Sequence, residues 1–283
     1  MTDIESLLNK QDFIELSARE RAKALLDEGT FRELLDPFDR VMSPWLVKQN
    51  IVPQADDGVV IAKGSIQEQP VVLISIEGLF QGGSLGEVGG AKIAGTLELA
   101  VEDNLKGIPT AAILLLETGG VRLQEANLGL AAIAEIQAAI VNLRQYQPVI
   151  AVVAGSVGCF GGMSIAAGLC SYIVMTQEGR LGLNGPQVIE QEAGVQEYNA
   201  KDRPFIWSIT GGNQRFASGL ADAFVDDDRQ KIRQQVIDYL TQGVTQQHRS
   251  SNYSFYLAKL QQVDTAEQIT PAQVQALYQG EQA

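Results

Sequence analysis

The chain has 283 residues, with 21 Lys or Arg against 34 Asp or Glu, a formal net charge of −13. That balance excludes nucleic acid as a general partner, because phosphate backbones are held by a basic footprint. The 45% apolar and 19% charged composition is that of a globular chain, and two cysteines, Cys159 and Cys170, exclude a disulfide framework and a four-thiolate zinc site.

Charges run through the first thirty residues, so no signal peptide is read there and the cytoplasm is the expected compartment. Residues 1–50 read as a helical, amphipathic N-terminal segment, with Ser17 as N-cap candidate and Gly29 as a stop. Two short strands follow, Gly58–Ala62 and Val71–Ile76. Glu87–Asn104 carries Ile93, Leu97, Leu99 and Ala100 at helical spacing. Thr110–Leu116 reads as a buried strand, Leu128–Leu143 as a helix and Val149–Val153 as a second buried strand. Ser164–Cys170 is a short helix and Tyr172–Met175 a strand.

No charge occurs between Gln145 and Gln177. Gly155, Gly158, Gly161, Gly162, Gly168 and Pro148 break that stretch into strand, turn, helix and strand rather than a membrane span. Beyond Asp226 the chain turns Gln-rich and helical, with an apolar face of Phe255, Leu257 and Leu260 between Tyr253 and Tyr256. Alternating strands and helices predict a single α/β domain on a largely parallel sheet: a core over 51–226 between the N-terminal segment and a helical tail over 227–283.

Three glycine segments interrupt this pattern. Leu114–Asn127 (LLLETGGVRLQEAN) and Val149–Gly168 (VIAVVAGSVGCFGGMSIAAG) each follow a buried strand that closes in a glycine pair near a helix start. Glycine lets the backbone approach a ligand with no Cβ between them, and amides at a helix N-terminus are unpaired and favour negative charge. Two such turns facing one cleft would set two N–H donors on one oxygen, an oxyanion hole suited to a thioester whose carbonyl becomes an enolate. A glycine pair after a strand also serves plain tight packing. The third segment, Phe80–Ile93 (FQGGSLGEVGGAKI), lacks the G-K-[ST] ending of a phosphate loop, and the second turn lacks dinucleotide-fingerprint spacing.

In this order, Phe80–Gly86, Thr118–Glu125, Phe160–Gly162 and Gly185–Gln191 (GPQVIEQ), closed by Gly211–Asp228 (GGNQRFASGLADAFVDDD), resemble the carboxyltransferase branch of the crotonase superfamily. The N-terminal RERAKALLDEGTFREL, the variant ETGGVRLQEANLGL and RPFIWSITGGNQRF are most similar to the β-subunits of biotin-independent malonate decarboxylases. Acetyl-CoA carboxylase β-subunits carry an N-terminal zinc ribbon, and no cysteine precedes Cys159 here. Hydratases of the superfamily carry glutamates after the second turn, where this chain has Met163 and Ser164, and in the later loop, here Leu183-Asn184-Gly185-Pro186-Gln187.

The resemblance implies a crotonase-like superhelix of stacked βαβ units with helical N- and C-terminal extensions. It implies decarboxylation of a malonyl thioester on an acyl carrier protein, giving an acetyl thioester and CO2 through an enolate. Amides of Gly119, Gly120 and Val121 and of Gly161 and Gly162 are then the expected donors. Gly82, Gly83, Ser84, Arg122, Gln124, Phe160 and Gly185 are the expected substrate-binding residues. Arg122 either attracts an anionic group of the substrate or forms a structural ion pair with Glu125 or Glu117. Ser84 either bonds in the cleft or caps its own turn, Cys159 is packing and His248 is a surface residue.

The same resemblance implies a homologous γ-type subunit completing the site, a carrier protein with a phosphoribosyl-dephospho-CoA arm, and an acetyl-ACP:malonate transferase subunit. It implies no biotin, no metal, no nucleic acid and no membrane. The alternatives are a β-subunit of a biotin-dependent acyl-CoA carboxyltransferase, or a scaffold subunit without catalytic groups.

Overall fold

The computed structural model describes residues 11–50, 52, 57–125, 127–264, 266 and 269–278. Seven strands form one sheet in chain order: β1 (Arg32–Leu34), β2 (Val59–Ile66), β3 (Gln69–Ile76), β4 (Ala111–Leu115), β5 (Val149–Val153), β6 (Tyr172–Met175) and β7 (Ala223–Phe224). The helices are α1 (Ala18–Leu25), α2 (Pro44–Lys48), α3 (Glu87–Leu105), α4 (Asn127–Leu143), α5 (Gly162–Leu169), α6 (Pro186–Ala193), α7 (Arg203–Thr210), α8 (Gly212–Ala217), α9 (Arg229–Gln242), α10 (Tyr253–Leu260) and α11 (Pro271–Tyr278).

β1, β2 and β3 pair antiparallel, and every pairing from β3 to β7 is parallel. Parallel neighbours need a crossover, which α3, α4 and α5 supply in turn. Side chains alternate across each strand, so one sheet face takes Val72, Ile74, Leu114 and Ala151 against Ile93, Leu97, Ile136, Ile140 and Met163 of α3 to α5. The other face takes Val71, Leu73, Ile113, Val152 and Val174 against Ala22 and Leu25 of α1 and Ile232, Val236 and Leu240 of α9. Burial on both faces is why these strands read as near-continuous apolar runs.

The elements from α3 to β6 lie within a few residues of their expected bounds, and the strands Val149–Val153 and Tyr172–Met175 coincide with them. The hairpin strands are longer than expected. Gln67 and Glu68 both take positive φ, 49° and 65°, in a two-residue turn that matches the twist of its strands and extends pairing to Ile66↔Gln69. The apolar pattern of Gly58–Ala62 does not show this polar end.

The N-terminal segment is not helical throughout. Its helix α1 begins at the expected cap, where Ser17 and Glu20 form a reciprocal capping box. It ends at Leu25, and the chain turns through Gly29 at φ +77°. Arg32–Leu34 then pairs with Ile61–Lys63 as the edge strand, because the open side of β2 has unpaired backbone groups for it to satisfy. Among the described residues, no helix is long and apolar enough to cross a membrane.

Asp27 ties the end of α1 to the hairpin and to α9. Its carboxylate accepts the N–H groups of Gln67 (3.1 Å) and Glu68 (3.0 Å), the Ser65 hydroxyl (2.8 Å) and Arg233 Nη2 (2.6 Å). Burial alone pushes this carboxyl up, but the hydrogen bonds from Glu68, Ser65 and Gln67 and the charge of Arg233 outweigh it and hold it below the ordinary aspartate value. A carboxyl lowered in the folded state contributes stability above its unfolded pKa, about 3.8, and loses it as pH falls further. Asp27→Asn should therefore lower Tm at pH 7, with the gap from the natural protein closing as pH is taken toward 3. A gap constant with pH in thermal melts would contradict this.

Candidate active site

The first turn leaves β4 at Leu115 and runs to α4 with no helix between. The helix expected near this glycine pair begins at Asn127, seven residues beyond Gly120. Isolated bridges, not a helix end, orient its amides: Thr118 pairs with Cys159 and Val121 with Leu85. The Leu85 N–H donates to Gly120 O and the Arg122 N–H to Leu85 O, both at 2.8 Å. That parallel pattern uses the groups flanking Val121 and turns the Val121 N–H away from Leu85. The Gly119 amide donates to Gly82 O at 2.8 Å and the Gly120 amide to Thr118 Oγ1 at 3.1 Å.

The second turn does end at a helix. Gly161 is the N-cap of α5, with φ +64°, and Gly162 is its first residue. Phe160 N–H donates to Thr118 O at 3.0 Å and Gly161 N–H to Leu183 O at 2.7 Å. Among the described residues, the N–H groups of Val121 and Gly162 take no acceptor within the chain. The turns meet backbone to backbone. A Cβ built on Gly161 would lie 3.1 Å from Gly120 Cα and 4.0 Å from Val121 N. All five expected donor residues thus come together, with Gly119, Gly120 and Gly161 spending their amides on the scaffold and Val121 and Gly162 leaving theirs outward.

A cavity of about 630 Å3 opens beside the first turn, between Met42, Leu46 and Val52 on one side and Phe80, Gly82, Ser84, Val121, Arg122 and Gln124 on the other. Of the residues expected to bind substrate, Gly82, Ser84, Arg122 and Gln124 line it. Gly83, Phe160 and Gly185 do not. Gly83 is buried, and a Cβ there would fall 1.9 Å from Glu117 O. Phe160 is 4% exposed and packs beneath the second turn against Gly182 and the Arg180 guanidinium, 5.5 Å from its centroid. Gly185 caps α6.

Arg122 forms the ion pair with Glu125, at 3.1 Å, rather than with Glu117. Its Nη2 also donates to Ser84 O (2.8 Å) and Asp57 O (3.1 Å), and its Nε reaches Ser84 Oγ at 3.4 Å. Glu125 in turn accepts the Glu87 N–H at 2.8 Å, satisfying the start of α3. The cation thus clamps three loops around the cavity. Burial pushes the Cys170 thiol up to about 12 and Cys159 higher still, so neither is a nucleophile near neutral pH. His248 is half-buried rather than on the surface, and burial, with Arg144 and Arg249 beside it, lowers its pKa.

Sequence reasoning missed the pairing beneath the turns, where the buried Glu117 carboxylate meets Arg21. A charged residue closing an apolar strand is a signal, since a buried carboxylate needs a partner. The partner lies 96 residues away and no local pattern marks it.

The carboxyl transferase domain model matches residues 15–280. A malonyl-S-ACP:biotin-protein carboxyltransferase of Malonomonas rubra is 42% identical over 237 residues, covering 80% of this chain and 74% of that protein. A chain of a Pseudomonas malonate decarboxylase hetero-tetramer in complex with malonate superposes with a TM-score of 0.93 at 67% identity, covering 98% of this chain and 100% of that one. A chain of the Pseudomonas malonate decarboxylase MdcD–MdcE hetero-dimer gives 0.76 at 59% identity, covering 90% and 98%. The architecture is thus the crotonase-like superhelix that the glycine motifs implied. This chain belongs to the carboxyl transferase domain family, among the relatives of the malonate decarboxylases.

Proposed function

We propose that this chain is the β-type subunit of a malonyl-S-acyl-carrier-protein decarboxylase, and that its Val121 and Gly162 amides form the oxyanion hole. The single observation that carries the reading is that these two N–H groups, on turns touching at Gly120 and Gly161, are left without acceptors. Both residues are only partly buried, so a ligand oxygen can reach these donors in place of water.

In the reaction the bond between the methylene carbon and the carboxylate breaks. Its electron pair forms the C=C of an enolate and the carbonyl π pair moves to oxygen, while CO2 departs. Fixed amides hold that oxygen without a proton of their own to tune, and they need no reorganisation as charge develops. The enolate carbon then takes a proton from solvent or from a partner group. No acid/base carboxylate follows Gly162, where Met163 and Ser164 stand, so water addition to an enoyl thioester is not the chemistry of this site.

The cavity beside the first turn, about 630 Å3, is of the size of small-molecule sites, and the thioester end of the phosphoribosyl-dephospho-CoA arm of a carrier protein is assigned to it. Arg122 shapes its wall and is spent on Glu125, Ser84 and Asp57. On the other side of the second turn lies an apolar groove bordered by Ile165, Leu183, Leu257 and Leu260, each at least half exposed. The homologous γ-type subunit is assigned to this groove. Exposed apolar surface of that kind marks an interaction face, and relatives at 59% and 67% identity are named as a hetero-dimer and a hetero-tetramer. A transferase subunit that loads malonate on the carrier completes the assembly, which uses neither biotin nor metal.

The Malonomonas relative's name favours a second reading, carboxyl transfer to biotin. The two separate in one assay, CO2 release from a malonyl-carrier thioester by the co-expressed complex without biotin. The decarboxylase reading expects release that stops when this chain is omitted. Malonyl-thioester consumption only when a biotinyl carrier is added would install the transferase reading instead.

The amide assignment has its own test. Val121→Pro and Gly162→Pro each delete one outward donor that the fold does not use, and the first helical position tolerates proline. A Cβ at Gly162 would fall 2.8 Å from the β-branch methyl of buried Ile133, so Gly162→Pro is read against Gly162→Ala, which makes the same contact and keeps the amide. Each proline variant should lose about 10²–10³-fold in kcat while assembling normally by size-exclusion chromatography. Full turnover in either would remove that amide from the reaction.

A further inference from the structure

The Glu117 carboxylate, 5% exposed, joins three parts of the fold and does not line the cavity. Arg21 Nη1 of α1 donates to its Oε2. The Val157 N–H (3.1 Å) and Ser156 hydroxyl (3.3 Å), both in the loop that leads to the second turn, donate to its Oε1. The carboxylate is gripped by bare backbone on two sides, since a Cβ on Gly78 would fall 2.5 Å from its Cδ and one on Gly155 only 2.1 Å away. The next residue continues the stitching. Thr118 N–H donates to Gly158 O at 2.7 Å, and Thr118 O accepts the Phe160 N–H at 3.0 Å. Arg21 is itself fixed, donating to Phe13 O (3.2 Å) and Ile14 O (2.7 Å), whose own N–H groups rest on Asp227 Oδ1.

We propose that Glu117, neutralised by Arg21, is a positioning residue that sets the spacing between the Val121 and Gly162 amides. The proposal rests on the oxyanion reading of those amides. One carboxylate binds the chain four residues before Val121 and, through its second oxygen, five residues before Gly162. Moving or discharging it lets the two turns slide relative to one another. Misplacement of a reacting geometry by about 1 Å costs on the order of a hundredfold in rate, whereas the thioester arm, lodged in a cavity that Glu117 does not touch, is bound as before. Loss therefore falls on kcat per assembled complex and spares KM, whereas a role in general stability would lower only the folded fraction and leave kcat per assembled complex unchanged.

The test uses the complete complex assayed for CO2 release. Glu117→Gln keeps an oxygen for the Val157 N–H and leaves Arg21 buried without its counter-charge. Its kcat should fall by about tenfold or more, with KM for the malonyl thioester within about twofold and assembly unchanged. The double variant Arg21→Met/Glu117→Gln removes the unpaired charge, retains the acceptor and should recover part of that kcat. Arg21→Lys, a milder change that keeps the charge, should show the same split in smaller degree and serves if Glu117→Gln does not assemble.

An assembled Glu117→Gln complex with natural kcat would overturn the positioning role. So would a loss shared equally by kcat and KM, or one accounted for by the folded fraction, or an Arg21→Lys complex as fast as the natural one when the Gln variant cannot be made. A natural complex that releases no CO2 would overturn the decarboxylase reading itself and this proposal with it.

Discussion

Everything at the site depends on two backbones approaching with nothing between them. Gly120 Cα and the position of a Gly161 Cβ are 3.1 Å apart, so a side chain on the second turn at that place would push the backbone of the first turn aside. Both residues also take positive φ, 112° and 64°, a region that costs an ordinary residue strain. Conformation favours glycine at both, and space adds to it at Gly161 alone, since a Cβ on Gly120 would meet its nearest neighbour at an ordinary 3.5 Å. From this contact follow the outward Val121 and Gly162 amides, and the loops behind them are organised to hold it.

The charges near the cavity are consequences of the same demand. The chain is strongly acidic overall, yet its cations are drawn inward: Arg122 onto Glu125, Lys92 onto Asp57 and Arg21 onto Glu117. The Lys92 and Arg21 pairs join segments far apart in sequence, Arg122 reaches the distant Asp57 and Ser84 carbonyls as well as its neighbour Glu125, and each pair is mostly removed from water, where breaking one partner leaves an uncompensated charge. Such pairs do not add stability for free. They fix which loop lies against which, and around this site that registry is the function they serve.

The sheet was legible because burial on both faces writes itself as long apolar runs, and β5 and β6 could be bounded to the residue. The two turns were legible as glycine pairs, but which of their amides the fold uses was not. Whether Gly120 or Val121 points its N–H outward depends on the bridge to Leu85, a partner some 35 residues away. Phe160 and Gly185 stand in family motifs and lie outside the cavity beside the first turn, one packed under the second turn and the other capping α6, positions that the motifs alone do not distinguish. The edge strand Arg32–Leu34 was hidden because three polar-to-apolar residues have no period of their own and are strand only through β2. Arg21 and Glu117 were invisible as a pair for the same reason: tertiary contacts carry no local pattern.

The three glycine segments of the sequence are the exits of three consecutive parallel strands. Residues 77–86 leave β3, 116–121 leave β4 and 154–162 leave β5. In a parallel sheet all strands point one way, and neighbours lie about 4.8 Å apart, so these exits must emerge side by side at one edge. A sheet wound in chain order therefore brings them together without any long-range instruction, and the carboxyl ends of parallel strands are where open α/β sheets bind their ligands. What evolution had to add was bare backbone at each exit and a buried strut to set the spacing. The candidate site of this chain is accordingly built on glycines, and no cluster of three or more metal-ligating side chains occurs among the described residues.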